Sequence, residues 1–167
     1  PIFQRMGSEF MPPLYEGTIL YMPTTLPGIA VTEASELLQQ MDQKLKSFRE
    51  VERVFGKAGR ADTSTDAAPF SMMEVVVELK PKAQWRQGMN YDDLVAEMDK
   101  ALQLPGVTNA WTMPIKARLD MLTTGVRTPV GIKIFGPNLK TIETIGKDIE
   151  MIAKDVPGTR SVYAERV

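Results

Sequence analysis

At 167 residues, with 43% hydrophobic and 25% charged side chains and a net charge of −1, the chain can bury one good-sized core or two small ones. Its charges are interspersed and no basic stripe stands beside exposed aromatics, which argues against a nucleic-acid surface. No apolar run approaches the roughly 18 residues a membrane span needs, and no basic-then-apolar leader opens the sequence.

Cys and His are both absent. That removes thiolate nucleophiles, Ser-His-Asp catalysis, redox pairs and the usual zinc ligands, so an enzyme is not expected. Methionine occurs eleven times, more than double an average usage of roughly 2%.

In chain order, residues 16–30 predict a strand with Thr18, Leu20 and Met22 on one face and Ile19 and Tyr21 on the other, interrupted between Pro23 and Gly28. "VTEASELLQQMDQKLKSF" predicts a helix capped by Thr32, with Ala34, Leu37, Leu38, Met41, Leu45 and Phe48 inward. "VERVFGKAG" predicts a strand, residues 60–69 a polar loop, and "FSMMEVVVELKP" the strongest strand in the chain. "NYDDLVAEMDKALQL" predicts a helix opened by Asn90, with Asp92 and Asp93 at its N-terminus. "PGVTNAWTMP" is short and strand-like, and residues 115–128, without clear periodicity, predict a loop turning at Gly125. "PVGIKIFG" predicts a strand, "NLKTIETIGKDIEMIAKDV" a helix with Ile142, Ile145, Ile149, Ile152 and Val156 inward, and "RSVYAERV" a last strand.

Three junctions, "SFREVERVFGK", "LQLPGVTNAWT" and "DVPGTRSVYAE", turn from a helix end into a strand, giving a repeat of about fifty residues. The fold class expected is α+β: a ferredoxin-like βαββαβ sandwich followed by a further βαβ half-unit. Its final strand lacks a closing partner, so the chain reads as a piece of a larger protein.

The methionines divide by position. Met41, Met98 and Met151 fall at or beside apolar helical spacing and read as core filler, while Met6, Met11 and Met89 lie in ragged or loop sequence. Met22, Met72 or Met73, Met113 and Met121 remain, three of them near element ends; Met72 shares a strand face with Glu74, and Met73 points the other way. On spacing alone, packing and chance account for these positions better than a shared site does. Were the sulfurs to meet, soft neutral thioethers would suit Cu(I) or Ag(I), with Asp66 and Glu74 supplying nearby negative charge. Asp66 with Glu74 as an acid/base pair has no accompanying nucleophile or phosphate loop.

"GSEFMPPLYEGTILYMPTTLPGI", "VERVFGKAGRADTSTDAAPFSMMEVVVELKPKAQWRQGMNYDDL" and "RLDMLTTGVRTPVGIKI" closely resemble the heavy-metal-efflux branch of the resistance-nodulation-division (RND) transporters, specifically the CusA-like copper/silver pumps. The resemblance runs over nearly the whole chain. It implies a trimeric, proton-driven pump of the bacterial inner membrane, working with a periplasmic adaptor and an outer-membrane channel. This chain would be a soluble portion on the periplasmic face: residues 1–13 a membrane-proximal lead-in, 14–126 a PC1-like porter subdomain, and 127–167 the first βαβ of a PC2-like subdomain. No resident cofactor is implied; Cu(I) or Ag(I) would be cargo, held by Met22, Met72 and Met121. Asp66, Glu74 and a basic residue, Arg127 here where the motif usually has lysine, would stand in the vicinity. Alignment favours Met72, and a one-residue register change would hand the role to Met73. Zinc- or cobalt-type efflux, and a scaffold or adaptor-docking portion that binds no metal, are the alternatives.

Overall fold

The computed structural model describes residues 14–59, 70–125, 128, 130–159 and 161–164. The lead-in through residue 13 and the loop of residues 60–69 lie outside the described residues, as do Asp66 and Arg127.

Four strands make one antiparallel sheet in the order β3 (Val51–Ala58), β4 (Met73–Leu79), β1 (Thr18–Tyr21), β6 (Trp111–Thr112). Helices α1 (Val31–Lys46) and α2 (Tyr91–Ala101) connect β1 to β3 and β4 to β6. The first and second long strands of the chain do not touch, because the third lies between them; this is the split βαβ order expected of a ferredoxin-like unit. A short antiparallel pair, β2 (Thr24–Thr25) with β5 (Val107–Thr108), extends the β1 side.

Alternation decides which face is buried. In β4, Met73, Val75, Val77 and Leu79 are buried while the intervening residues are half-exposed. Ile19 and Tyr21 of β1 join them, and α1 and α2 cover this face with Ala34, Met41, Leu45, Leu94, Val95, Met98 and Leu102. Leu37, Leu38 and Phe48 pack at its margin, so the inward set predicted for α1 is the observed one. The predicted Thr32 cap is not: α1 begins at Val31 after Ala30, with no side-chain cap. Glu33 in its first turn and Lys44 and Lys46 in its last complement the helix dipole instead. Asn90 does cap α2, its Oδ1 accepting from the Asp93 amide at 2.9 Å.

α1 can lie close because β3 offers no side chain at Gly56, where a Cβ would stand 2.7 Å from Leu38 Cδ1 and 2.8 Å from Asp42 Oδ1. Gly56→Ala is therefore expected to destabilise the chain by about 1–3 kcal/mol through overpacking, read as a lower urea midpoint with an unchanged slope. An unchanged midpoint would show that the Leu38 and Asp42 side chains swing aside at no cost.

Other expectations fail as well. Residues 115–128 do not form a loop over most of their length, since Pro114–Thr124 is a helix, α3. Pro114 at its first turn has no amide to lose, and Gly125, at φ +74°, closes the last turn by donating its N–H to the Met121 carbonyl at 2.9 Å. The turn predicted at Gly125 is thus a helix end. Further on, "PVGIKIFG" and "RSVYAERV" show no strand among their described residues. Parallel strands of a split βαβ pair through a third strand between them, as β1 and β3 pair through β4, and no further strand follows α4 (Leu139–Lys154) among the described residues.

The inward set predicted for α4 also shifts. The helix, capped by Asn138 accepting from Thr141 at 3.0 Å, turns Ile142, Gly146, Ile149 and Ala153 inward. Gly146 faces Ala164 and Ile134, and Gly136 faces Ile142. Ile145, Ile152 and Val156 are exposed, as is Met151, which is therefore not core filler. No described helix is long and apolar enough to cross a membrane.

Candidate metal centre

The register that joins β1 to β4 does not stop where the ladder is cut by proline. Tyr21 lies opposite Val75 and, beyond Pro23, Thr24 bridges Met72. The Met73 amide donates to the Pro23 carbonyl at 3.0 Å and the Thr25 amide to the Ser71 carbonyl at 2.8 Å. Pro23 thus keeps its acceptor in the ladder and lacks only the donor. The same register sets Met22 directly across from Glu74, in a non-hydrogen-bonded pair, where facing side chains come closest. Met72 is the diagonal neighbour of Met22, within reach of a long side chain.

Met22, Met72 and Glu74 therefore share the sheet face opposite α1 and α2. Met22 is 4% exposed and Met72 half-buried. Met73, its side chain fully buried, belongs to the core on the other face.

Met121 stands on α3, which packs against β1. Met113, Ala117 and Met121 follow one another at a spacing of one turn, on one stripe of that helix. The first two are buried and Met121, at 36% exposure, is the open end of the stripe. Lys116 and Asp120, 3.4 Å apart, flank it.

Behind Met22, a buried polar network fixes the end of β1. The Tyr21 hydroxyl donates to Asn109 Oδ1 at 2.7 Å, and its oxygen lies 3.4 Å from Met41 Sδ. Asn109 Nδ2 donates to the Leu102 carbonyl at 3.1 Å and to Asp99 Oδ1 at 3.2 Å, and Trp111 Nε1 donates to that carboxylate at 2.8 Å. The Tyr21 and Trp111 rings stack at 4.3 Å. Burial, and secondarily the Asp99 charge, push the Tyr21 hydroxyl well above its ordinary pKa, so it remains a donor. The Met22 amide completes the join to the β6 side by donating to the Ala110 carbonyl at 2.8 Å. None of Tyr21, Asn109, Asp99 and Trp111 stands out in the sequence as a site residue, because each lies in a different element and they meet only through the β1–β6 pairing.

On the Met22 side, Glu74 has a cation for a partner: Lys57 Nζ lies 3.0 Å from Glu74 Oε2. Asp66 and Arg127, the other residues named for the vicinity, fall outside the described residues.

Met22, Met72 and the ion-paired Glu74 thus share one sheet face, and Met121 stands on the helix that packs against β1.

A family model for the AcrB/AcrD/AcrF family matches residues 1–167, and the chain belongs to that family. It is 48% identical over 163 residues to the cation efflux system protein CusA of Escherichia coli strain K12, and 49% identical to the putative cation efflux system protein SilA of Salmonella typhimurium. It is 31% identical over 168 residues to the cobalt-zinc-cadmium resistance protein CzcA of Cupriavidus metallidurans. These matches take in 98–99% of this chain and 16% of each relative, so the chain spans about a sixth of their length. Among solved structures, a heavy metal efflux pump in two crystal forms superposes with TM-scores of 0.87 and 0.88, at 26% and 28% identity, over 92% and 93% of this chain and 16% of that one. The chain is thus a member of the AcrB/AcrD/AcrF family that resembles one segment of heavy-metal efflux proteins, and it has the α+β fold expected of such a segment.

Proposed function

We propose that this chain is the substrate-binding portion of a proton-driven efflux pump for Cu(I) or Ag(I), exposed on the periplasmic face of the bacterial inner membrane, and that Met22, Met72 and Met121 hold the ion. The observation that carries the reading is the shared face of Met22 and Met72, with Met73 buried on the other side. The identity is 48–49% to the cation efflux proteins CusA and SilA but 31% to the cobalt-zinc-cadmium resistance protein CzcA, which supports a cargo other than cobalt, zinc or cadmium. Residues 14–126 would form one porter subdomain and 127–167 the start of the next, in a homotrimer that works with an adaptor and an outer-membrane channel; Asp66 and Arg127 would complete the surroundings of the ion.

The chemistry asked of such a site is reversible capture. Neutral thioethers bind a soft ion less tightly than thiolates would and do not oxidise to disulfides. Their neutrality leaves the ion's charge to nearby carboxylates.

Resistance profiling tests the reading. Cells that carry the whole pump with Met22, Met72 and Met121 all replaced by isoleucine should lose tolerance to copper and silver as completely as a deletion strain, with zinc and cobalt tolerance unchanged. Retained copper and silver tolerance would overturn the three-thioether site, and lost zinc or cobalt tolerance would favour divalent cargo.

A further inference from the structure

Lys57, Glu74 and Met22 stand in a row across three adjacent strands. Lys57 is the register partner of Glu74 on the β3 side, and Met22 is its partner on the β1 side. All three lie on the face opposite the helices. Lys57 and Glu74 are 3.0 Å apart with side-chain exposures of 38% and 21%, and Met72 is the next residue along that face of β4. The carboxylate beside the two sulfurs is therefore neutralised from the side away from them.

That geometry points to a role for Lys57 that rests on the three-thioether reading: we infer that Lys57 sets the selectivity of the site against divalent cations, by occupying the carboxylate that shares a sheet face with Met22 and Met72. Without the ammonium, Glu74 would offer a full negative charge and a hard oxygen donor next to Met22. Carboxylate oxygen suits divalent first-row ions, whereas thioether alone suits the soft monovalent ones. The Coulomb term acts in the same direction, since a dication gains twice what a monocation gains from the same charge at the same distance. With the pair intact, the face presents soft neutral sulfur and little net charge, and a divalent ion must break an ion pair to gain a hard ligand.

Lys57 acts through Glu74 and does not touch the ion, so it is a positioning residue, and the readout must be a ratio rather than an affinity. The 167-residue chain is titrated calorimetrically with silver nitrate and, separately, with cobalt(II) chloride. Lys57→Gln is expected to raise Co(II) affinity about tenfold and Ag(I) affinity only about threefold, the square-root relation that follows from charge. Lys57→Arg, which keeps the pair, should behave as the parent, and Lys57→Gln/Glu74→Gln should lose the Co(II) gain. An Ag(I)-to-Co(II) ratio unchanged in Lys57→Gln, or a gain that survives in the double variant, would overturn the proposal while leaving the thioether site standing. Failure of the parent chain to bind Ag(I) would overturn both.

Discussion

Met72→Leu is expected to weaken Ag(I) binding by about 10–100-fold, while Met73→Leu leaves it unchanged. That range is what loss of even an outer-shell partner costs at metal sites, and in the proposed site Met72→Leu removes a donor atom itself. The two substitutions are chemically identical and one residue apart, so propensity, net charge and volume cannot separate them. What separates them is the pleat: Met72 shares its face with Met22 and Glu74, and Met73 is fully buried with Val75 and Val77 beneath the helices. Leucine replaces methionine in a core at a cost below about 1.5 kcal/mol, so Met73→Leu should show a small stability change and a normal titration. Calorimetry with Ag(I), alongside urea unfolding of each variant, reads both quantities. The reverse result, with binding lost in Met73→Leu and kept in Met72→Leu, would mean that the strand runs one residue out of the register described above.

Arg86→Ala is expected to destabilise the chain by about 3 kcal/mol at neutral pH. Glu50, with its side chain fully buried at the entrance to β3, is held among the described cations by Arg86: Nε donates to Oε1 at 2.6 Å, Nη2 to Oε2 at 3.3 Å, and the Arg86 amide to Oε1 at 3.2 Å. Arg86 Nη2 also reaches Glu97 of α2 at 2.6 Å, so one guanidinium ties the loop after β4 to both β3 and a helix. Removing the cation strands a buried carboxylate, a loss of about 3–5 kcal/mol in comparable pairs; the partial exposure of Arg86 places the expectation at the lower end. Burial by itself would push the Glu50 carboxyl up, but the Arg86 side-chain and backbone hydrogen bonds and its charge outweigh this and hold the pKa below the ordinary value.

The sign of the pH dependence follows. A carboxyl with a depressed folded pKa contributes stability that is present above its unfolded value, about 4.3, and lost as pH falls through the folded one. Urea unfolding should therefore show the parent losing stability below about pH 4, and the gap between parent and Arg86→Ala narrowing there. A gap of the same size at pH 7 and pH 3 would show that the pair contributes through packing and not through charge.

Much of this was legible in the sequence because local signals and tertiary context agreed. The alternation in "MEVVVEL" set the two faces of β4 correctly, and the inward residues of α1 were those its periodicity named. α3 was missed because Ile115, Leu119 and Leu122 interleave with Met113, Ala117 and Met121 and blur any single apolar stripe. The signal that could have found it was Pro114 at one end and Gly125 at the other.

The expected strands around α4 failed for a different reason. Strand propensity is context-dependent, and "PVGIKIFG" needs a neighbour that does not follow in the described residues. The candidate site divides along the same line. Met22, Met72 and Glu74 share a face because of register, which alternation anticipates within a strand but not between strands. The Tyr21–Asn109–Asp99–Trp111 network and the Lys57–Glu74 pair are products of strand pairing, and nothing in their sequence spacing announces them.

X-ray absorption at the copper edge of the Cu(I)-loaded chain, prepared without oxygen, tests the central claim most directly. The expected first shell is sulfur only, from three donors; it loses a sulfur in each of Met22→Leu, Met72→Leu and Met121→Leu and is unchanged in Met73→Leu. A first shell of oxygen or nitrogen, or a sulfur shell indifferent to those three substitutions, would contradict it.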